Sequence, residues 1–135
     1  MRAATFFGGR QVAGLAAAMW VCAALVGCGG NPSAKDLPLD KALAKQSLTT
    51  TLDAWKAGEK PAALKDRQPS IIASDSTWEA GAKLTDYQLK GERDLGANLS
   101  IDVVLTTEKD GRTSKQEVTY IVGTSPVITV SLNYD

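Results

Sequence analysis

Histidine is absent from this 135-residue chain, and cysteine occurs only twice, as Cys22 and Cys28. Without imidazole or spare thiols, the usual ligands of zinc, copper and iron sites are missing. Imidazole is also the base that activates most nucleophilic serines and cysteines, so triads of that kind are excluded. A glycine-rich phosphate loop is lacking as well. The sequence therefore predicts no metal site, no cofactor and no catalytic residue.

An excess of charge of one sign is also lacking. The chain has 15 basic and 15 acidic residues, which gives a formal net charge of +0. Domains that bind nucleic acid carry a basic face that attracts phosphate groups. Nucleic acid is therefore not expected among the partners of this protein.

Long hydrophobic runs are scarce, and one segment stands out at residues 12–26. It contains no charged residue and follows Arg2 and Arg10. A basic start followed by a short apolar stretch is the layout of a secretory signal. A membrane-spanning helix needs about 20 apolar residues, so we interpret this run as a signal and not as a permanent span.

Four residues close the apolar run: Leu25, Val26, Gly27 and Cys28. Each matches the lipobox, and the segment resembles the signal sequences of bacterial lipoproteins. The resemblance implies cleavage before Cys28, acyl chains such as palmitate on this residue, and the membrane as a partner through the acylated cysteine. Two or three acyl chains hold a protein stably in a bilayer, whereas one holds it only marginally. The alternatives are an ordinary signal with an incidental cysteine and an uncleaved anchor.

The lipobox divides the chain into a signal peptide, 1–27, a lipidated cysteine with a flexible tether, 28–36, and a single domain, 37–135. Cleavage would leave 135 − 27 = 108 residues, the size of one domain. Cys28 would then be the only cysteine, so a disulfide is excluded. The residue after Cys28 is Gly29 and not Asp. In this respect the sequence resembles lipoproteins that are sent to the outer membrane. We expect an exported, membrane-anchored protein, on the periplasmic side of the outer membrane if the cell is Gram-negative.

An apolar stripe predicts one helix near the start of the domain. Its members recur at helical spacing: Ala44, Leu48, Leu52 and Trp55. The helix is expected to begin between Asp36 and Asp40 and to end before Gly58. A second, short helix is predicted at 61–67, because proline is favoured at a first helical position.

Strand patterns follow the helices. Short strands are predicted at 70–73 and 84–90, the second with Thr85, Tyr87 and Leu89 on one face, and residues 91–98 are interpreted as a loop. A last strand is predicted within 127–134 and is placed at a sheet edge by strand order.

A hairpin gives the clearest signal. Apolar residues alternate from Leu99 to Leu105, and again at Val118, Tyr120 and Val122. Asp110-Gly111 between them suits a two-residue turn with positive φ at both positions. This turn predicts the pairs Val103 with Val118, Ile101 with Tyr120 and Leu99 with Val122, because a slip of one residue would put the apolar sets on opposite faces. The acidic residues of the turn are explained by the hairpin and not by a metal site.

The predicted fold class is α+β, with an N-terminal helix and a short second helix packed on a curled antiparallel sheet of four to five strands. This order resembles cystatin-like and NTF2-like architectures in topology only. Three segments are similar to small bacterial lipoproteins, a likeness that implies no activity: 55–58, 78–81 and 118–122.

The candidate binding residues are Trp78, Tyr87 and Tyr120, since aromatic side chains are enriched at binding sites. We predict a non-catalytic binding or assembly domain, with an envelope protein or a small apolar ligand as partner. The alternative is an NTF2-like isomerase or dehydratase that acts on a small apolar substrate. That enzyme would need an ionisable residue pointing into a pocket between helix and sheet, and Asp86 and Asp102 alternate away from the tyrosines.

Overall fold

The structure of the protein, a computed structural model, describes residues 38–134. The signal peptide, the lipobox of Leu25, Val26, Gly27 and Cys28, and the tether lie outside the described residues, so their assignments stay predictions. Within the described part of the chain, none of the helices combines the length and the apolar character that a membrane crossing requires.

Helix α1, Lys41–Lys56, begins at an N-cap that its sequence supplies. The backbone N–H of Leu43 donates to Oδ1 of Asp40 at 2.9 Å, which satisfies one of the unpaired donors of the first turn. The predicted stripe is confirmed, because its four members are at most 2% exposed: Ala44, Leu48, Leu52 and Trp55. After the helix the chain turns at Gly58, whose φ is 85°.

The α+β class is confirmed. The described residues contain α1, a 3₁₀ helix at Pro61–Asp66, a four-residue helix α2 at Ser76–Glu79, and a five-stranded sheet. The strands are β1 Ile71–Ser74, β2 Lys83–Asp94, β3 Asn98–Lys109, β4 Arg112–Gly123 and β5 Ile128–Leu132, in the sheet order β1-β5-β4-β3-β2. Helix α1 and the sheet share one apolar core.

The β3–β4 hairpin confirms the predicted register. Val103 pairs with Val118, Ile101 with Tyr120, and Leu99 with Val122. Asp110 and Gly111 both have positive φ, at 52° and 74°, as a two-residue turn of this kind requires. Every second residue of β3 from Leu99 to Leu105 is buried, so turn chemistry and hydrophobic alternation agree.

One strand pairing differs from the antiparallel sheet that we expected. β1 runs parallel to β5, with Ile71 opposite Ile128, so the sheet is mixed. As a consequence β5 lies between β1 and β4 and is not an edge. Both isoleucines are buried, at 2% and 6% exposure, and the pairing completes the core at the side of the sheet where the 3₁₀ helix packs.

Strand β2 is longer than predicted, because residues 91–94 continue the strand instead of forming a loop. The register shifts once between Leu84 and Asp86 and again between Leu89 and Glu92. Bulges of this kind change which side chains point to the core. Leu84, and not Thr85, therefore shares the core-facing side with Tyr87.

The second bulge in β2 places two carboxylates beside the start of α1. Lys45 pairs with Glu92 at 2.6 Å, and Lys41 pairs with Asp94 at 2.9 Å. The Asp94 carboxylate raises the pKa of Lys41, chiefly by accepting its hydrogen bond. Exposed pairs of this kind contribute little stability.

Candidate functional site

The candidate site is an open pocket of about 650 Å³ at the C-terminal end of α1. Its walls come from the end of α1, the 3₁₀ helix, β1, α2 and the start of β2. Its apolar lining residues are Trp55, Pro61, Ala62, Ala73, Trp78 and Ala82. Small-molecule sites have this general character, with a concave apolar surface and a few polar groups.

Two stacked tryptophans form the base of the pocket. The ring centroids of Trp55 and Trp78 are 5.5 Å apart, and their planes differ by 14°. Trp55 Nε1 donates to the carbonyl oxygen of Ala82 at 2.8 Å, and Trp78 Nε1 donates to that of Glu59 at 2.9 Å. Because both indole N–H groups have backbone partners, the pair is fixed in place. Trp55 and Trp78 are only 2% and 6% exposed, so they close the pocket and contribute a small apolar surface to it.

The local sequence explains why the chain closes around these rings. Trp55 is the last member of the apolar stripe of α1. Gly58 and Gly81, with φ of 85° and 92°, allow sharp turns directly after α1 and α2. Pro61 starts the 3₁₀ helix, where its missing N–H costs nothing.

Charged side chains line the pocket above the tryptophans. Three are lysines, Lys60, Lys65 and Lys83, and two are acidic, Glu59 and Glu79. Glu59 is already engaged, because Arg67 pairs with it. Among the lining residues three basic groups face two acidic ones, a surplus of 3 − 2 = 1 positive charge.

A buried hydrogen-bond cluster supports the base of the pocket. Asp75 is 3% exposed and caps α2, accepting from the backbone N–H groups of Thr77 and Trp78 at 2.8 and 3.1 Å. Its second carboxylate oxygen accepts from the hydroxyl of Tyr120 at 2.5 Å. Burial, together with the Asp75 charge, raises the pKa of Tyr120, so this phenol stays protonated. Asp75 thus connects Tyr120 on β4 with α2, the helix that carries Trp78.

The structure separates the three predicted binding residues. Trp78 lines the pocket. Tyr120 is 1% exposed and lies in the core, where it acts through Asp75. Tyr87 is half-buried on β2 and donates its hydroxyl proton to Asp53 of α1 at 2.6 Å. Burial and then this hydrogen bond raise the pKa of Tyr87 to about 12.

Three contributors to the site were missed from the sequence: Trp55 as a wall of the pocket, the lysines above it, and Asp75. The apolar stripe favours a core position for Trp55, and the structure shows that this buried ring also borders the pocket. For Asp75 a signal existed, because an Asp before a Ser-x-x-Glu segment is typical of a helix N-terminus.

A second cleft, of about 440 Å³, has mostly polar walls. It lies beside Ser76, Gln116 and Thr119, and Tyr134 accepts a hydrogen bond from the backbone N–H of Ser76 at 3.0 Å. This cleft lacks the apolar floor that the tryptophan pocket has, so we consider the tryptophan pocket the better candidate site.

The interior between α1 and the sheet is occupied by the apolar core. Asp86 is exposed, and Asp102 lies on the opposite face of the sheet from Ile101 and accepts from the Thr119 hydroxyl at 2.7 Å. Among residues 38–134 no group of three or more acidic or cysteine side chains is arranged to hold a metal ion. No protein-family model matches the chain, and neither does any curated protein.

Proposed function

We propose that this protein is a lipid-anchored component of the cell envelope whose domain binds a small ligand without catalysing a reaction. The observation that carries the binding part is the open pocket over the stacked Trp55 and Trp78. The lipobox ending at Cys28 supports the anchoring part. An acylated Cys28 would hold the exported domain at a membrane, the periplasmic side of the outer membrane if the cell is Gram-negative.

The pocket defines the ligand by its chemistry. Its apolar base favours an apolar body of modest size, because burial of apolar surface is the main driving force for such binding. The lysines around it favour an acidic group on that body, since an opposite charge within a few ångströms is attractive. An apolar molecule with one acidic group therefore fits better than a neutral or a basic one.

An envelope protein as the partner is the second form of this hypothesis. A concave pocket suits a small ligand better than a protein surface, because protein interfaces are broad and bury about 800 Å² on each partner. We therefore place the small ligand first.

The isomerase or dehydratase alternative draws little support from the buried ionisable groups. Asp75 has its two oxygens engaged by Thr77, Trp78 and Tyr120. A general acid or base must reach the proton that it transfers, within about 3 Å or through one water. Neither Asp75 nor Tyr120 lines the pocket. The ionisable groups that do line it are exposed lysines and Glu79, and Glu59, which pairs with Arg67, so we propose binding without catalysis.

Intrinsic fluorescence offers a direct test, since the mature chain retains two of its three tryptophans, Trp55 and Trp78. We expect 8-anilinonaphthalene-1-sulfonate, an apolar probe with one acidic group, to bind the folded protein and accept energy from both rings. The double variant Lys65→Glu/Lys83→Glu should bind it about tenfold more weakly, which corresponds to about 1.4 kcal/mol.

The matched control is Lys90→Glu/Lys115→Glu, which makes the same change in net charge at exposed positions that do not line the pocket. It should keep the wild-type affinity, and circular dichroism should show both variants folded. Equal weakening by the two double variants, or no energy transfer in the wild type, would contradict the assignment of the pocket.

A further inference from the structure

Two turns of the sheet lie at the end where the chain enters the domain. The backbone N–H of Asp40 donates to the Thr124 hydroxyl at 3.3 Å, and Lys41 pairs with Asp94 at 2.9 Å. Asn98 pairs with Gly123 across β3 and β4. The β2–β3 turn, residues 95–97, and the β4–β5 turn, residues 124–127, therefore both flank the start of α1. We call these two turns with the start of α1 the entry end.

The two turns carry exposed apolar side chains and no charge. Leu95 is 54% exposed and Val127 is 51% exposed. Their neighbours in the turns are Gly96 and Ala97, and Thr124, Ser125 and Pro126. Asp94, which precedes Leu95, pairs with Lys41, so its charge is balanced by a lysine.

The opposite end of the sheet is charged. The β3–β4 hairpin carries a charge at four of the five positions from 108 to 112, and all five are exposed. Single exposed apolar residues are ordinary on protein surfaces. What distinguishes Leu95 and Val127 is that both lie at the tips of uncharged turns, at the same end of the molecule.

We propose that the entry end rests on a lipid bilayer, with Leu95 and Val127 inserted at the boundary between headgroups and acyl chains. This inference rests on the proposed acylation of Cys28. Eleven residues lie between Cys28 and Asp40. The Cα atoms of Cys28 and Asp40 can therefore be at most about 43 Å apart in any conformation. The anchor would thus keep the domain within reach of the bilayer. Leu95 and Val127 would select the entry end, because apolar side chains gain by leaving water for the interface.

This placement gives the domain a defined orientation. The 16 residues of α1 extend about 24 Å away from the entry end. The tryptophan pocket lies at the far end of that helix, so this placement keeps it away from the bilayer surface. A ligand in the aqueous compartment would reach the pocket without crossing the lipid surface.

Site-specific labelling of the full-length, membrane-reconstituted protein tests this orientation. Acylation occupies the thiol of Cys28, so a cysteine introduced by Leu95→Cys, Val127→Cys or Asp110→Cys is the reactive one in the mature chain. Each variant is labelled with a nitrobenzoxadiazole fluorophore and placed in phosphatidylethanolamine–phosphatidylglycerol vesicles that contain lipids brominated along the acyl chain. We expect quenching of the label at positions 95 and 127 to be at least threefold stronger than at position 110.

Mass spectrometry of the N-terminal peptide on the same samples separates the two hypotheses. An acylated peptide with equal quenching at all three positions would contradict the contact of the entry end with the bilayer and would leave the acylation of Cys28 in place. A peptide without acyl chains would overturn the anchoring as well. Because Leu95, Val127 and Asp110 are exposed turn residues, the labelled variants should retain the wild-type circular dichroism spectrum.

Discussion

Replacing Trp55 with alanine is expected to lower the free energy of unfolding by about 4 kcal/mol, within the range for large-to-small changes of buried aromatic residues. The side chain is 2% exposed, stacks on Trp78 and donates to the Ala82 carbonyl, so its removal leaves a cavity and an unpaired acceptor. Domains of this size unfold with a midpoint shift of about 4–8 °C per kcal/mol. Thermal and urea unfolding followed by far-ultraviolet circular dichroism would measure the loss.

Trp55→Phe is the matched control for this prediction. Phenylalanine keeps most of the apolar contact and loses the hydrogen bond to Ala82, so it should cost about half as much as alanine. Equal stability of the wild type and Trp55→Ala would show that this ring does not hold α1 to the start of β2.

Replacing Asp75 with alanine is expected to lower the free energy of unfolding by about 3 kcal/mol. The change removes the N-cap of α2 and leaves the buried hydroxyl of Tyr120 without its acceptor. The lost contacts are those from Thr77, Trp78 and Tyr120. Chemical denaturation at neutral pH measures the change. The variant should also lose binding of the fluorescent probe, because Asp75 caps α2, the helix that carries Trp78.

Asp40→Ala provides the comparison, since Asp40 also caps a helix but is exposed. It should cost about 1 kcal/mol, the usual value for an N-cap. A double-mutant cycle with Tyr120→Phe should give a coupling energy of about 1 kcal/mol or more between Asp75 and Tyr120. If Asp75→Ala costs no more than Asp40→Ala, the buried cluster does not have the structural role described above.

The hairpin and the first helix could be predicted because their signals are local. In β3 and β4 the alternation of apolar residues and the Asp110-Gly111 turn each require the same register, and the structure has it. In α1 the stripe ending at Trp55 and the cap at Asp40 mark both ends of the helix. Where two independent local requirements agree, a sequence specifies its structure closely.

The parallel pairing of β1 and β5 could not be predicted in this way. Ile71 and Ile128 are 57 positions apart, and the four residues of β1 carry no information on which strand they will join. The bulges in β2 were also hidden, because a bulge breaks the period of two that identifies a strand. Pairing partners of short strands depend on the packing of the whole core.

The site was harder to predict than the fold. Trp55 and Trp78 come from separate helices, and their stacking depends on the turns at Gly58 and Gly81 and on the cap at Asp75. A pocket formed between five elements leaves no spacing pattern in the sequence. The candidate residues chosen by type therefore include Trp78, which lines the pocket, and Tyr87 and Tyr120, which do not.

The proposed function requires acyl chains on Cys28, and metabolic labelling measures them. Cells that produce the wild type, Cys28→Ala or Cys22→Ala are grown with radiolabelled palmitate, and the protein is isolated from each. We expect label in the wild type and in Cys22→Ala, and none in Cys28→Ala. A wild type without label, or a Cys28→Ala variant that keeps it, would rule out an anchor at Cys28.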